Sequence, residues 1–274
     1  MRSFGLSCWV AAVTLSGCAA TPAPVATVPA GMQYLYGSGE AAALSRQAYA
    51  GLADYVRASS RAAPVSVVEG AGPCGAKPRA IVLDVDETAL LNLGYEYADG
   101  LAARPYDPAR WERWERTGTR AVLPVPGAVD ALAAVRAQGV TVIFNSNRNA
   151  ATAQESRAAI EGAGLGPAVH GETLFLKGDA GGGSGKDARR RLVSERWCVI
   201  AMVGDQLGDF SDRFVGSAPV RRAAAQAAGT GERWGHGWFM LPNPVYGTGL
   251  AGTFDDVFPV DRRWADPAAR KGAK

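Results

Sequence analysis

Histidine is almost missing from this chain: His170 and His236 are the two in 274 residues. That shortage disfavours a histidine nucleophile and zinc clusters built on imidazole. Cysteine is scarce as well. Of the four, Cys8 and Cys18 fall near the start, which leaves Cys74 and Cys198 in the body and no thiol spacing for a metal. No apolar run is long enough to cross a bilayer, since Phe4 to Leu15 is mostly apolar but too short. Nor is there an excess of one charge: the formal net charge of +3 is too small to argue for a nucleic-acid partner. Two nucleotide-type loops also fail. Ala180 to Lys186 lacks the first glycine of a P-loop, and Asp187 stands where a hydroxyl residue would hold Mg²⁺. Gly247 to Gly252 has a dinucleotide spacing, but too little chain follows to build the required βαβ unit.

What is present divides into a leader and a globular body. Met1-Arg2 gives a positive start, and Leu15-Ser16-Gly17-Cys18 closes the short apolar stretch. This resembles the bacterial lipoprotein signal, which is cleaved before a cysteine that carries lipid. Residues 1–17 are therefore expected to be a signal peptide, with Cys18 lipidated and residues 18–31 a Pro/Ala-rich tether. Ala19 fits sorting to the outer membrane, so the expected location is the bacterial cell envelope. The body is expected to span 32–252, with 89–123 inserted as a small helical annex and 253–274 as an extension. An apolar content of 47% suits a packed domain.

In the body, strand and helix patterns alternate. Gly39 onward reads as a helix capped by Ser38, with Leu44, Ala48, Leu52, Tyr55 and Val56 on one stripe. Ala80 to Leu83, Val140 to Phe144, Leu174 to Leu176, Cys198 to Val203 and Trp238 to Leu241 read as strands. Helices fall at Ala128 to Val135, Ala150 to Ala163 and Asp187 to Arg196, the last carrying Arg189-Arg190-Arg191 as a solvated face. Such alternation predicts an α/β fold with a parallel sheet flanked by helices.

Ligands of open parallel sheets sit beyond the carboxyl ends of the strands. Asp84 and Asp86 end the first strand, Ser146 and Asn147 follow the second, and Asp205 and Asp209 follow the fourth. Lys186 opens a helix. Four converging carboxylates repel one another unless a cation sits among them, and oxygen-only ligands favour Mg²⁺. A lysine and a Ser-Asn turn beside that ion suit the oxygens of a phosphoryl group. One carboxylate can attack phosphorus while another moves protons, which points to hydrolysis of a small phosphomonoester. Trp111 shares a helix face with Trp114, as packing or as a rim that stacks a planar ligand.

Asp84-x-Asp86-Glu87-Thr88, Ser146-Asn147-Arg148, Lys186 and Gly204-Asp205-x-x-x-Asp209, in that order, resemble the haloacid dehalogenase superfamily. With the leader, Trp111-x-x-Trp114 and Met240-Leu241-Pro242-Asn243-x-x-Tyr246-Gly247, the chain looks more narrowly like the class C nonspecific acid phosphatases, bacterial outer-membrane lipoproteins. The resemblance implies Asp84 as nucleophile, Asp86 as general acid and base, and Mg²⁺ held by Asp84, the Asp86 carbonyl and Asp205, with Asp209 in support. It implies Ser146, Asn147 and Lys186 as phosphate ligands, Lys177 being the alternative lysine. It also implies Trp111 and Tyr246 as a stack for the base of a nucleoside 5′-monophosphate. A sugar-phosphate phosphatase and a non-catalytic surface lipoprotein are the rival readings, and a homodimer stays open. Cys74 and Cys198 are expected at the amino-terminal edge of the sheet, either bonded or with Cys198 as a small buried apolar residue.

Overall fold

The computed structural model describes residues 27–60, 63–102, 106–181 and 183–266; the leader and Cys18 lie outside them. Helices α1 (Ala30–Gly37) and α2 (Gly39–Ser59) precede strand β1 (Arg79–Leu83). A small unit follows: β2 (Leu90–Leu91), α3 (Leu93–Ala102), α4 (Pro108–Thr117) and β3 (Leu123–Pro124). The chain then alternates through α5 (Ala128–Ala137), β4 (Thr141–Asn149), α6 (Ala153–Gly162), β5 (Leu174–Lys177), α7 (Asp187–Arg196) and β6 (Cys198–Gly204). Helix α8 (Ala218–Gln226), β7 (Trp238–Met240) and the short α9 (Phe254–Val257) complete the described part.

Five strands form one parallel sheet in the order β5-β4-β1-β6-β7, with β1 at its centre. Side chains alternate across the pleat, and β1 uses both faces. Ile81, Leu83 and Val85 enter the core shared with α2 and α5. Ala80 and Val82 enter the opposite core, with Val193 of α7 and Trp238 of β7. Every residue of β6 is buried, which explains why it reads as a continuous apolar run.

Ser38 caps α2 as its sequence implies, its Oγ accepting from the Ala41 N–H at 3.1 Å. The buried stripe is Ala41, Ser45, Tyr49, Leu52, Ala53 and Val56. Leu44, expected inside, is exposed. The stripe is turned so that Tyr49 reaches the core and its hydroxyl donates to the Thr88 carbonyl at 2.6 Å. Helix α1 falls partly where a tether was expected. It buries Leu35 and brings the Tyr36 hydroxyl to Glu87.

Strand β4 runs past its expected end at Phe144 to Asn149, with a register irregularity against β5 between Asn145 and Asn149. Its polar residues extend the strand because Ser146 and Arg148 point inward to waiting partners. The inserted unit packs on itself: Tyr95 of α3 meets the rings of Trp111 and Trp114 of α4, with centroids 4.9 and 6.1 Å away. Asp107 caps α4, and Gly118 ends it where any Cβ would strike the Trp114 ring.

Cys74 and Cys198 form a disulfide that ties the loop before β1 to the start of β6. Cys198 pairs in register with Arg79, the first residue of β1. The bond therefore sits at the sheet's amino-terminal edge.

Candidate active site

At the other end of β1 the Asp84 N–H still donates to Val203 of β6. Val85 is packed inward, so Asp84 and Asp86 both turn outward. The chain then reverses through Glu87, the one non-glycine residue with positive φ (54°) among those described. That conformation is costly, and it is held on several sides. Glu87 N–H donates to the Leu90 carbonyl at 2.7 Å, and its buried carboxyl accepts from Tyr36, Tyr246 and the Asn92 N–H.

A cavity of about 790 Å³ opens over this edge. Asp84, Asp86, Asn147, Lys186, Asp205, Asp209, Trp111 and Tyr246 all line it. Ser146 does not. It is fully buried behind the wall, its Oγ accepting from the Arg148 N–H and lying 3.4 Å from Asp86 Oδ2. Lys186 is the cavity lysine; Lys177 ends β5 and does not line the cavity.

Lys186 stands at the head of α7 with its ammonium 2.6 Å from Asp84 Oδ1 and 2.7 Å from Asp209 Oδ1. The contact with Asp84 lies off the hydrogen-bonding direction, so this buried oxygen has no aligned donor. Asp209 Oδ2 accepts from the backbone N–H groups of Asp205 and Gln206. Asp205 is fixed separately. Thr88 Oγ1 donates to one oxygen at 2.7 Å, while Asn243 Nδ2 and Gln206 Nε2 donate to the other at 2.8 and 3.0 Å. Asp86 is gripped by a third set: Arg148 at 2.7 and 2.9 Å, and Asn92 at 2.9 Å.

Burial pushes the Asp84 carboxyl well above the usual carboxylate range, against the pull of Lys186. Burial, with the charge of Asp209, pushes Asp205 up to about 6. Burial works to lower Lys186, but Asp209 and Asp84 outweigh it and raise it. The ammonium therefore stays charged while Asp84 beside it is destabilised as an anion. Oxygens of Asp84, Asp205 and Asp209 lie within 4.8 Å of one another. An all-oxygen set with one oxygen lacking an aligned donor fits a hard divalent cation.

Several contributors lie outside the motif residues assigned roles from sequence. Arg148 stood in the Ser-Asn-Arg motif without a role, and it is the partner of Asp86. Thr88 and Asn243 likewise stood in quoted motifs without a role, and Asn92 carried no signal except nearness to the first of them. The expectation of a solvated Arg189-Arg190-Arg191 face is wrong: Arg189 and Arg190 are buried and only Arg191 is exposed. Arg189 donates to Asn145 and Asn147 at 2.7 and 2.6 Å. Arg190 donates to the carbonyls of Gly208 and Asp209 at 3.0 and 2.8 Å and meets Asp187 and Asp212. Helix α7 thus turns two arginines inward, one onto side-chain amide oxygens and the other onto carbonyls and acids.

A parallel sheet with lysine-linked acids at its carboxyl edge is the arrangement of a phosphate-ester hydrolase. Residues 8–249 match the family model described as HAD superfamily, subfamily IIIB (Acid phosphatase), and the chain belongs to that family. It is similar to the class C acid phosphatase from Bacillus anthracis, with 27% identity, a TM-score of 0.66 and coverage of 80% of this chain and 84% of that one. A second structure of the Bacillus anthracis enzyme, with tungstate bound, aligns at 26% identity and a TM-score of 0.67 over 80% and 84% of the two chains. The protein is accordingly a phosphomonoesterase.

Proposed function

We propose that the protein is a Mg²⁺-dependent phosphatase of nucleoside 5′-monophosphates that works through an aspartyl-phosphate intermediate. The observation that carries this reading is the Lys186 ammonium held between Asp84 and Asp209 on the cavity wall. Asp84 and Asp205, with the Asp86 carbonyl, would hold the cation. When bound, Mg²⁺ neutralises charge on the acids and on the phosphoryl oxygens.

Lys186 and Asn147 orient the phosphoryl group so that an Asp84 oxygen faces phosphorus. Attack forms the Asp84–phosphorus bond and breaks the bond to the leaving oxygen. Asp86, aimed by Arg148 and Asn92, gives that oxygen a proton. It then takes a proton from the water that attacks the aspartyl phosphate, releasing inorganic phosphate and restoring both acids. Ser146 acts from behind the wall by positioning Asp86. Trp111 and Tyr246 line the same cavity, and stacking a base between them is worth ~1–3 kcal/mol. Lipidation at Cys18 and an outer-membrane location belong to the same proposal; an unmodified Cys18 in protein taken from membranes would remove that part.

Phosphate release from a nucleoside monophosphate, with and without EDTA, tests the reading. We expect EDTA to stop the reaction, Mg²⁺ to restore it, and Asp84→Asn to abolish it. Asp84→Asn turnover comparable to wild type would overturn the nucleophile assignment.

A further inference from the structure

Glu96, in the first turn of α3, has no role in the chemistry above. It is 5% exposed, yet it lines the main cavity beside Tyr95, Tyr106 and Trp111. It also lines a second groove of about 380 Å³ behind that cavity. Met32 and Glu96 are the residues common to both, so they form the partition. Asp99, the neighbouring acid on the wall, is already neutralised by Arg110. Glu96 is not: no hydrogen bond or ion pair reaches its carboxyl among the described residues, although Arg110 and Asp86 act on it through space. Its side chain faces the two cavities and finds no protein donor, and a carboxyl drawn largely out of water without a donor is costly. Among the described residues that line the cavity, Lys186 is the one Lys or Arg. A ligand that brings a donor relieves that cost, whereas one that brings a second anion adds to it.

We propose that Glu96 is a specificity-determining residue, its carboxyl accepting a hydrogen bond from an O–H or N–H group on the leaving alcohol and turning away leaving groups that carry a second anion. This rests on Asp84 and Lys186 marking the phosphate end of the cavity. The shared chemistry is a donor, and it can come from a sugar-type hydroxyl or from an ammonium.

The test is run above pH 7, where the carboxyl that burial raises to about 7 is ionised, and compares kcat/KM of the full chain for four monoesters: phenyl phosphate, ribose 5-phosphate, phosphoethanolamine and phosphoglycolate. Each value is taken as a ratio to that for phenyl phosphate. Glu96→Leu is expected to lower the ratio for at least one donor-bearing substrate by about 10-fold, the size of one hydrogen bond to a charged acceptor, and to raise the ratio for phosphoglycolate. Glu96→Gln separates the sources. An amide oxygen still accepts from a hydroxyl, so ribose 5-phosphate keeps most of its ratio. The charge that attracts an ammonium is gone, so phosphoethanolamine falls as it does in Glu96→Leu. Ratios that stay within about twofold of wild type in both variants would overturn the proposal. So would a uniform loss over all four substrates with a lowered melting temperature, which assigns Glu96 to packing alone. Wild-type protein that hydrolyses none of the four would instead overturn the reading of Asp84 and Lys186 on which this rests.

Discussion

Arg190→Met should be among the most damaging single changes that touch no substrate. Arg190 is fully buried, and its guanidinium holds the carbonyls of Gly208 and Asp209, the backbone that carries Asp209. It also meets Asp187 and Asp212, whose side chains are each 34% exposed. Methionine fills the stem but leaves both carbonyls without that donor and two acids without their shared cation. Breaking a buried charged network by removing one partner costs about 3–5 kcal/mol. Water at the two half-exposed acids discounts their share, so about 3 kcal/mol is expected, mostly from the carbonyls. For a domain of this size that lowers Tm by roughly 6–12 °C. Thermal melts of Arg190→Met, Arg190→Lys and Arg191→Ala make the comparison. Arg191 is exposed, so its change should stay within about 0.5 kcal/mol. Lysine recovers only part, because one ammonium cannot replace a planar fork serving four acceptors. Below its transition Arg190→Met should also lose kcat, since Asp209 and the Lys186 contact move with the loop. A Tm within error of the Arg191→Ala value would refute the argument that the loop depends on Arg190.

Three further outcomes are expected. Replacing Cys74 and Cys198 by alanine opens a crosslink spanning 124 residues, a loss of about 4–5 kcal/mol in chain-entropy terms. Kinetics at low temperature should survive, because the bond lies at the opposite edge of the sheet from Asp84; a matching loss of kcat would contradict that placement. Burial raises Glu96 from 4.5 to about 7, Arg110 opposing and Asp86 adding to the rise. The folded form therefore holds this proton more tightly than the unfolded chain, and the stability involved is complete below pH 4.5 and lost as pH climbs through 7. At about 1.4 kcal/mol per pH unit the loss is on the order of 3 kcal/mol, and urea titrations across that window should show Glu96→Gln with the flatter profile. An unchanged profile would mean that Glu96 is ionised throughout. Trp111→Ala should raise KM for a nucleoside monophosphate about 5-fold or more, from ~1–3 kcal/mol of stacking, and raise KM for phenyl phosphate less; equal effects would remove the stacking role.

The sheet was legible because its central strands are buried on both faces and appear as apolar runs, those of β1 and β6 followed by acids. Asp84, Asp86, Asp205 and Asp209 could be placed on one edge from chain order alone, since parallel strands end together. Charge on a helix is harder to read. Arg189, Arg190 and Arg191 are identical in sequence terms, and only the amide oxygens of Asn145 and Asn147 on β4 and the carbonyls and acid of the loop after β6 decide which two face inward. Leu44 and Tyr49 show the same limit for apolar stripes. Both suit a core, and the hydroxyl partner at Thr88, distant in sequence, selects the tyrosine. Ser146 marks a third limit. Its position after a strand suggests a phosphate ligand, whereas the continuation of β4 carries it under Asp86.

The same geometry bears on why two acids a single residue apart can take the different roles proposed for them. Asp86, Asp205 and Asp209 are each held by their own donors: Arg148 and Asn92 for the first, Thr88, Asn243 and Gln206 for the second, Lys186 and two backbone N–H groups for the third. Asp84 is held by one ammonium, off axis. Hydrogen bonds to a carboxylate stabilise its charge and dull its attack, so the acid with the fewest is the best suited to bond with phosphorus. The acid aimed by an arginine and an amide is suited to present one oxygen repeatedly to a proton. Exchanging the supports should therefore exchange the consequences. Arg148→Met frees Asp86 without touching Asp84, so it should slow proton transfer to a poor leaving group far more than to a good one such as a nitrophenol. A uniform loss with both leaving groups would place Arg148 with phosphate binding instead.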